Sequence, residues 1–400
     1  MQTRISEHLA GHPGAGEAED ILRSCVHCGF CNATCPTYRL FGSELDGPRG
    51  RIYLVKSLLE GRRAGEKTRL HLDRCLACRA CERTCPSGVR YSRLIHIGRG
   101  MIPRPLLERM RNRALLELLP HPGRLRLAMT FARALGPVLP AKFRAALPVD
   151  DTLPFPGGRP RRMLVLEGCV QSVSRASTNA AATRVLDALG ISLEGAPGCC
   201  GAMHYHMGAE QEAKAMMRRN IDLWWPHVEA GIEAIVSTAS GCGLMVKEYA
   251  EVLADDPGYA EKAKRIADLA RDIAEVVSEE DLSPFREARR GRKIAFHSPC
   301  TLQHGQQLGG RVEPLLEACG FRLARIADPH LCCGAAGTYS LLQREISGKL
   351  LENKVNALEA DSPELIAIAN IGCELQIGSA AALPVVHWIT LLDQPMKGTP

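Results

Sequence analysis

Several features that would place this 400-residue chain in a common class are missing from its sequence. It has no run of about 18 apolar residues, which argues against a membrane-spanning helix. Residues 1–20 are polar and lack the apolar core of a secretory signal. Neither the glycine-rich dinucleotide fingerprint nor a phosphate-binding loop occurs, so no flavin or nicotinamide site is predicted. We expect a cytoplasmic protein whose contact with a membrane could only be peripheral.

Net positive charge is confined to one segment of the chain. The formal net charge is +6, and residues 104–145 hold nine Lys or Arg against Glu108 and Glu117. The rest of the chain is nearly neutral, which argues against binding to nucleic acid. Residues 101–160 are therefore predicted to be a basic, proline-rich connector that is solvated, packed on a partner subunit or docked on an anionic membrane. A short amphipathic helix is predicted from Arg124, Arg126, Arg133, Leu125, Leu127, Met129, Phe131 and Leu135.

Cysteine is abundant, with 17 residues. Two runs, one from Cys25 to Pro36 and one from Cys75 to Pro86, share the spacing C-x2-C-x2-C-x3-C-P. Three thiolates at this spacing bind one 4Fe–4S cluster, and the fourth reaches across to the other cluster. The spacing thus predicts two clusters with interleaved ligands. These are Cys25, Cys28, Cys31 and Cys85 for the first cluster site, and Cys75, Cys78, Cys81 and Cys35 for the second cluster site.

A zinc ribbon or a disulfide framework is the competing interpretation, because C-x2-C pairs also suit a tetrahedral zinc ion. Two identical runs, each closed by proline, favour clusters. His27 lies between two predicted ligands and is interpreted as a loop residue. Residues 21–100 are predicted to form a helical ferredoxin-type domain, in which the insert between the two runs carries a helix over residues 50–61.

The second half of the chain contains an internal repeat of strand-length apolar runs, helical segments and cysteines. The predicted copies are residues 161–290 and 291–400, and matching cysteines are offset by 131, 133 and 131 residues. Parallel strands joined by helices end at one sheet edge, where the cysteines of each copy should converge. These are Cys169, Cys199, Cys200 and Cys242 in the first copy, and Cys300, Cys332, Cys333 and Cys373 in the second.

The predicted fold class is α+β and multidomain. After the tail of residues 1–20 comes the N-terminal helical two-cluster ferredoxin domain, and after the connector come two duplicated α/β Cys-Cys-Gly repeats. Cys319 is predicted to be a buried core residue without a role in metal binding. No residue is assigned as catalytic: His204 and His206 are candidates for proton or quinone handling, but are interpreted as structural.

The arrangement resembles the cysteine-rich iron–sulfur subunits of membrane-associated respiratory dehydrogenases and heterodisulfide reductases. Five segments narrow the resemblance to the iron–sulfur subunits of bacterial glycolate oxidase (glycolate dehydrogenase): Ile21 to Cys31, Glu44 to Tyr53, Cys85 to Tyr91, Thr238 to Gly243 and His330 to Tyr339. This resemblance implies an FAD-containing partner subunit that oxidises glycolate to glyoxylate. It further implies that this chain passes the electrons toward quinone, at the cytoplasmic face of the inner membrane.

Other functions stay open at this point. Lactate or glycerol 3-phosphate could replace glycolate, since the substrate would bind the partner. A heterodisulfide-type thiol reductase or a zinc-stabilised scaffold would use the Cys-Cys-Gly repeats instead. In the heterodisulfide relatives each repeat ends in C-x2-C, whereas here Met245 and Gln376 stand where the last cysteine would be. The repeat cysteines are therefore predicted either to bind an additional iron–sulfur cluster or zinc, or to stay empty thiols.

Overall fold

The computed structural model describes residues 1–12, 14–134, 158–285 and 291–393. The chain divides into two compact units: Met1–Asn112 with His330–Leu351, and Arg113–Pro329 with Glu352–Pro400. Residues 135–157, which make up much of the predicted connector, lie outside the described residues. The division assigns Cys332 and Cys333 to the same unit as the ferredoxin-type cysteines.

The first unit is built from helices, as predicted for the ferredoxin-type region. The helices before its cysteine-rich loops and within the insert bury leucine side chains such as Leu22, Leu59 and Leu72 in one core. The helices are Ala15–Ser24, Phe30–Ala33, Pro36–Phe41, Pro48–Leu59, Glu66–Asp73, Ala80–Thr84, Tyr91–Gly100 and Tyr339–Leu342, with 3-10 turns at Glu7–Leu9 and Glu44–Asp46. Helices Leu106–Leu118 and Arg344–Glu359 begin in this unit and end in the second.

The structure confirms the helix that the sequence predicts in the insert between the two cysteine runs. The helix spans Pro48–Leu59, with proline in its first turn, where no backbone donor is lost. It ends before Gly61, whose φ of +87° lies in the left-handed region that glycine adopts without strain. Ile52 and Val55 point into the core, as their helical spacing predicts.

The second unit contains two four-stranded parallel sheets. Their strand orders, β2-β1-β3-β4 and β6-β5-β7-β8, are equivalent, which agrees with the duplication seen in the sequence. In each sheet the first strand lies in the middle, with its copy's second and third strands on either side. The strands are β1 Arg161–Leu166, β2 Ile191–Ala196, β3 Ala234–Ser237, β4 Ala270–Asp272, β5 Lys293–His297, β6 Arg322–Leu323, β7 Leu365–Ile368 and β8 Val385–His387.

Helices connect these strands, as the helical segments of the sequence repeat predict. The α-helices of the second unit are Pro122–Ala134, Gln171–Ser174, Ala176–Ala188, Ala202–His206, Glu210–Glu229, Ser240–Lys247, Tyr249–Val252, Ala260–Leu269, Ile273–Ser278, Val312–Ala318, Ile371–Gly378 and Trp388–Asp393. A 3-10 turn spans Ser283–Phe285, and a π-helical turn spans Thr301–Gly305.

The two copies share one apolar core in the second unit. Val165 and Val236 of the first sheet belong to the same buried cluster as Phe296 and Trp388 of the second copy. Cys319 lies in this cluster with 1% of its surface exposed, which confirms the prediction of a buried core residue. The shared core means that neither copy buries its apolar surface alone.

Candidate iron–sulfur sites

The first cluster site is a cavity in the first unit. Cys25, Cys28, Cys31 and Cys85 all line it, so the structure brings together three cysteines of the first run and the last cysteine of the second. Cys28 is exposed, and the neighbouring Val26 and Phe30 side chains are 70% and 63% exposed. This site therefore opens toward solvent.

The second cluster site is the more deeply buried of the two. Cys35, Cys75, Cys78 and Cys81 line a second cavity, which takes its fourth cysteine from the first run. Three of these four cysteines are buried, whereas Cys78 is partly exposed. Cys81 borders both cavities, so the two sites are immediate neighbours.

Proline directs the fourth cysteine of each run out of its own loop. Cys35 and Cys85 have nearly the same extended backbone, with φ/ψ of −79°/119° and −77°/113°. A residue before proline is pushed away from helical backbone angles because it would collide with the proline ring. Pro36 then begins the helix Pro36–Phe41. The C-P end of each run thus aims its thiol at the neighbouring cavity.

The loops that carry the first three cysteines share an unusual backbone. His27 and Ala77, at equivalent positions of the two runs, have φ values of 60° and 52°. The next equivalent pair, Gly29 and Arg79, have φ values of 87° and 62°. Non-glycine residues adopt this left-handed region at a cost, and such strain concentrates at functional sites. The matching backbone means that both loops present their cysteines in the same way.

The thiols of the first site influence one another's ionisation. Burial, together with neighbouring Cys25, Cys85 and Cys28, raises the pKa of Cys31 to about 11. Negative charge on several thiolates at once is unfavourable unless a cation neutralises it. A site of four adjacent thiols therefore suits a positively charged metal centre.

Positive charge is already present at the second site. Burial alone would raise the pKa of Cys75, but the guanidinium groups of Arg51 and Arg99 hold it below its ordinary value. The backbone N–H of Ala77 donates to Cys75 Sγ at 3.4 Å, and the Tyr91 hydroxyl donates at 3.7 Å. These groups stabilise a thiolate at Cys75, which is the form that binds iron.

Both cavities fit a 4Fe–4S cluster by their chemistry. Each is lined by the four cysteines of its predicted set, carried on loops of matching backbone, and Cys81 of the second set also borders the first cavity. Four thiolates are the ligand set that such clusters require. The ligation of each cluster by its own set stays a prediction.

The four cysteines of the first Cys-Cys-Gly repeat also come together, near the carboxyl ends of β1, β2 and β3. Hydrogen bonds from Cys169 and Cys200 lower the pKa of Cys199, and the Cys199 thiol correspondingly raises the pKa values of its two neighbours. Cys200 also interacts with Cys242, which lies on helix Ser240–Lys247. The first copy therefore has four mutually interacting thiols, one of which favours the thiolate form.

Glycine is required after each Cys-Cys pair for a steric reason. Gly201 and Gly334 have φ values of +87° and +84°. A Cβ atom at Gly334 would lie 2.8 Å from the Ser347 carbonyl oxygen, so a larger residue does not fit. Both glycines serve close turns. In the second repeat, Cys332 and Cys333 belong to the first unit and Cys300 and Cys373 to the second, so their convergence stays a prediction.

The two histidines after the first Cys-Cys-Gly differ in their surroundings. His204 is buried, its pKa is lowered mainly by burial, and its Nδ1 has no hydrogen-bond partner among the described residues. His206 is exposed. The structure thus places only His204 inside the protein, next to the charge of Cys199.

Sequence reasoning missed the charged groups behind the second site. Asp46, Arg51 and Tyr91 lie in segments that carried the family resemblance, but no spacing rule marked them as neighbours of a cluster. Asp46 and Arg51 are buried, with 2% and 1% of their surfaces exposed. The sequence did carry one indication of the buried charge: Arg51 lies on helix Pro48–Leu59, among apolar residues that are spaced for burial.

Three segments of the chain match known protein families. Residues 21–89 match the family described as 4Fe-4S dicluster domain, and residues 163–247 and 294–378 each match the cysteine-rich domain family. A crystal structure of a hypothetical protein from Helicobacter pylori has a similar fold, with a TM-score of 0.58 and 11% identity over 97% of this chain and 73% of that one. Fold and sites together define an iron–sulfur protein that joins a two-cluster ferredoxin-type domain to a duplicated cysteine-rich domain.

Comparison with curated relatives identifies a particular family within this class of iron–sulfur proteins. The chain is 50% identical to the glycolate oxidase iron-sulfur subunit of Escherichia coli, over 99% of this chain and 100% of that protein. It is 32% identical to a probable glycolate oxidase iron-sulfur subunit of Bacillus subtilis, over 94% of both chains. Lactate utilization protein A of Bacillus subtilis is 30% identical over 52% of this chain. The chain belongs to the family of glycolate oxidase iron–sulfur subunits.

None of the helices in the described part of the chain combines the length and apolar content needed to cross a bilayer.

Proposed function

We propose that this chain is the iron–sulfur electron-transfer subunit of a glycolate dehydrogenase complex. It receives electrons from an FAD-containing partner that oxidises glycolate to glyoxylate, and passes them toward quinone. The observation that carries the proposal is the pair of adjacent cavities, each lined by its predicted set of four cysteines, in a chain 50% identical to a glycolate oxidase iron-sulfur subunit. Bound clusters supply one-electron transfer, which a flavin partner can feed after a two-electron oxidation.

The residues of this chain have distinct parts in that function. The cysteine sets at the two sites hold the clusters, and their shared border at Cys81 keeps the two centres close enough for exchange. The solvent-facing first site suits the receipt of electrons from a partner. Substrate oxidation is assigned to the partner because the sequence contains no dinucleotide fingerprint.

We expect the purified chain alone to give no turnover with glycolate and an artificial acceptor dye. Adding the flavoprotein partner should allow dye reduction. Cys75→Ala should block the onward transfer while leaving single-turnover flavin reduction by glycolate intact, because the flavin lies upstream. Cys319→Ala, a cysteine in the apolar core, is the matched control and should support dye reduction.

Two outcomes would change this assignment. Turnover by the chain without flavin or partner would overturn it. Turnover of the complex with lactate or glycerol 3-phosphate, but none with glycolate, would keep the mechanism and change the substrate. Lactate is the first alternative to test, since a lactate utilization protein matches half of the chain.

We also propose that helix Pro122–Ala134 contacts an anionic membrane surface. Leu125 and Met129 of this helix are buried against Val173, so those two apolar residues do not face outward. Leu127 and Phe131 are 60% and 65% exposed, and they lie beside the exposed Arg124 and Arg126. A face that combines exposed apolar and basic residues is typical of helices that rest on anionic lipid. Of the predicted face, Leu135 lies outside the described residues, and the side chain of Arg133 is not described.

We expect the full-length chain to bind vesicles that contain anionic lipid, and to release them at high salt because salt screens the attraction. Leu127→Ser with Phe131→Ser should weaken binding in a sedimentation assay. Leu223→Ser, which changes an equally apolar residue that is 46% exposed on another helix, is the control and should bind normally. Unchanged binding by the double variant would contradict docking through this helix.

The first Cys-Cys-Gly repeat is proposed as a further metal site, holding either an iron–sulfur cluster or zinc. Its support is the contact among Cys169, Cys199, Cys200 and Cys242. Four thiols within interaction distance can supply a complete tetrahedral ligand set. The corresponding proposal for the second repeat rests on its matching sequence.

We expect Cys242→Ala to lower the total iron or zinc content of anaerobically purified protein, because it removes one of four ligands. The two ferredoxin-type clusters should remain visible by spectroscopy in this variant. Cys319→Ala should keep the full metal content. If neither Cys242→Ala nor Cys200→Ala changed the metal content, these thiols would be empty and the site would not exist.

A further inference from the structure

Arg51 occupies an unusual place for a charged side chain. Only 1% of its surface is exposed, and it lines the second cavity together with Cys35 and Cys75. Its Nε donates to the His71 carbonyl oxygen at 2.7 Å, and its Nη2 donates to Thr37 Oγ1 at 3.1 Å. These bonds fix the guanidinium group at the cavity, and burial keeps its charge from being screened by water.

The counter-charge of Arg51 is shared with another arginine. Asp46 Oδ1 lies 3.6 Å from Arg51 Nη2, while Asp46 Oδ2 lies 3.0 Å from Arg74 Nη1. His71 Nδ1 also contacts Asp46, at 3.0 Å. One carboxylate therefore serves two guanidinium groups, so positive charge remains in excess behind Cys75.

Arg99 is a second arginine that acts on Cys75, and it too shares its carboxylate with another arginine. Arg99 Nη2 donates to the backbone carbonyl oxygens of Leu72 and Cys75. Its nearest carboxylate, Asp73, is 4.0 Å away and makes two shorter bonds, of 2.8 and 3.0 Å, to Arg104. Four arginines thus share Asp46 and Asp73, and Arg104 has Glu108 as a second partner at 3.7 Å, which still leaves positive charge in excess around the second site.

A further acidic group near the second site, Glu82, is also paired. Glu82, which acts on Cys81, lies 4.0 Å from Arg79 Nε. It also accepts a hydrogen bond from the backbone N–H of Ser92. This carboxylate therefore does not cancel the excess positive charge of the arginines.

The arginine at the first site is paired, and another positive group there, the N-terminal ammonium of Met1, donates to the Cys25 carbonyl oxygen at 2.6 Å. Arg49 lines that cavity, but its Nε and Nη2 both bind Glu44, at 3.0 and 2.6 Å. The two side chains are 33% and 44% exposed, so water also weakens their field. The two cavities therefore differ in buried side-chain charge although their cysteine spacing is identical.

Adding one electron to a cluster makes its net charge more negative. Fixed positive charge and hydrogen bonds to sulfur stabilise that reduced form and raise the reduction potential, whereas burial away from water lowers it. At the second site the unscreened charge of Arg51 and the Tyr91 hydroxyl bond to Cys75 Sγ oppose the effect of burial. At the first site the charge of Arg49 is already cancelled.

We propose that Arg51, assisted by the Tyr91 hydroxyl, holds the cluster of the second site at a higher reduction potential than the cluster of the first. Electrons received at the solvent-facing first site then move inward to the second. Arg51 acts by placing a positive charge beside the cluster and is not one of the cluster's ligands. This inference rests on the proposed function, because it requires a cluster at each site.

An anaerobic redox titration of the full-length chain, followed by electron paramagnetic resonance, tests the proposal. Arg51→Gln should lower the potential of one cluster and leave the other unchanged. Arg51→Lys, which keeps the charge, should restore most of the difference. Cys28→Ala removes a ligand of the first site alone and so identifies which signal belongs to which site.

Two further variants keep the test decisive. Tyr91→Phe removes one hydroxyl and should lower the same potential by a smaller amount, even if Arg51→Gln loses its clusters. Arg49→Gln is the matched control, an arginine at the other cavity whose charge is already paired, and should leave the potential of the second site unchanged. Iron and sulfide are measured on every variant.

The outcomes separate this inference from the function on which it rests. Wild-type protein without clusters would overturn both. Wild-type protein with two clusters, of which the second has the lower potential, would overturn this inference alone. This inference alone would also be overturned if Arg51→Gln or Tyr91→Phe kept its iron and the reduction potentials of both clusters stayed unchanged.

Discussion

The structure of the first unit depends on one constraint: the last cysteine of each run lines the cavity formed by the other run. Cys35 and Cys85 reach across because the proline that follows each of them keeps its backbone extended. Neither cavity can be completed by one run alone. Cluster binding at either site would therefore order both runs and the helical insert between them, so that metal binding and folding of this unit become coupled.

The insert between the runs also brings charged side chains to the second site. Its residues Asp46 and Arg51 are buried at the second cavity, where they form a hydrogen-bonded group with Thr37, His71 and Arg74. Buried charges are tolerated when they are paired and hydrogen-bonded. The insert thus supplies the second site with a buried charged group, whereas its charged pair at the first site, Arg49 and Glu44, is partly exposed, and two runs of identical spacing become two unequal sites.

Much of this could be predicted from the sequence, because the deciding signals were local. The cysteine spacing indicated the two sets that share cavities, the offsets between Cys169 and Cys300 and their neighbours revealed the duplication, and helical periodicity located Pro48–Leu59. What could not be predicted depends on contacts between distant segments. The approach of Arg51 to Cys75, the burial of Leu125 and Met129 under Val173, and the grouping of residues 330–351 with the ferredoxin-type unit leave no periodic trace in the sequence.

The central claim, that each cluster takes its fourth ligand from the other run, is tested most directly by comparing single-cysteine variants spectroscopically after anaerobic purification. Cys28→Ala and Cys78→Ala each remove a ligand from one site and mark its signal. The account predicts that Cys35→Ala perturbs the same signal as Cys78→Ala, and that Cys85→Ala perturbs the same signal as Cys28→Ala. The opposite pairing, with Cys35→Ala matching Cys28→Ala, would contradict it.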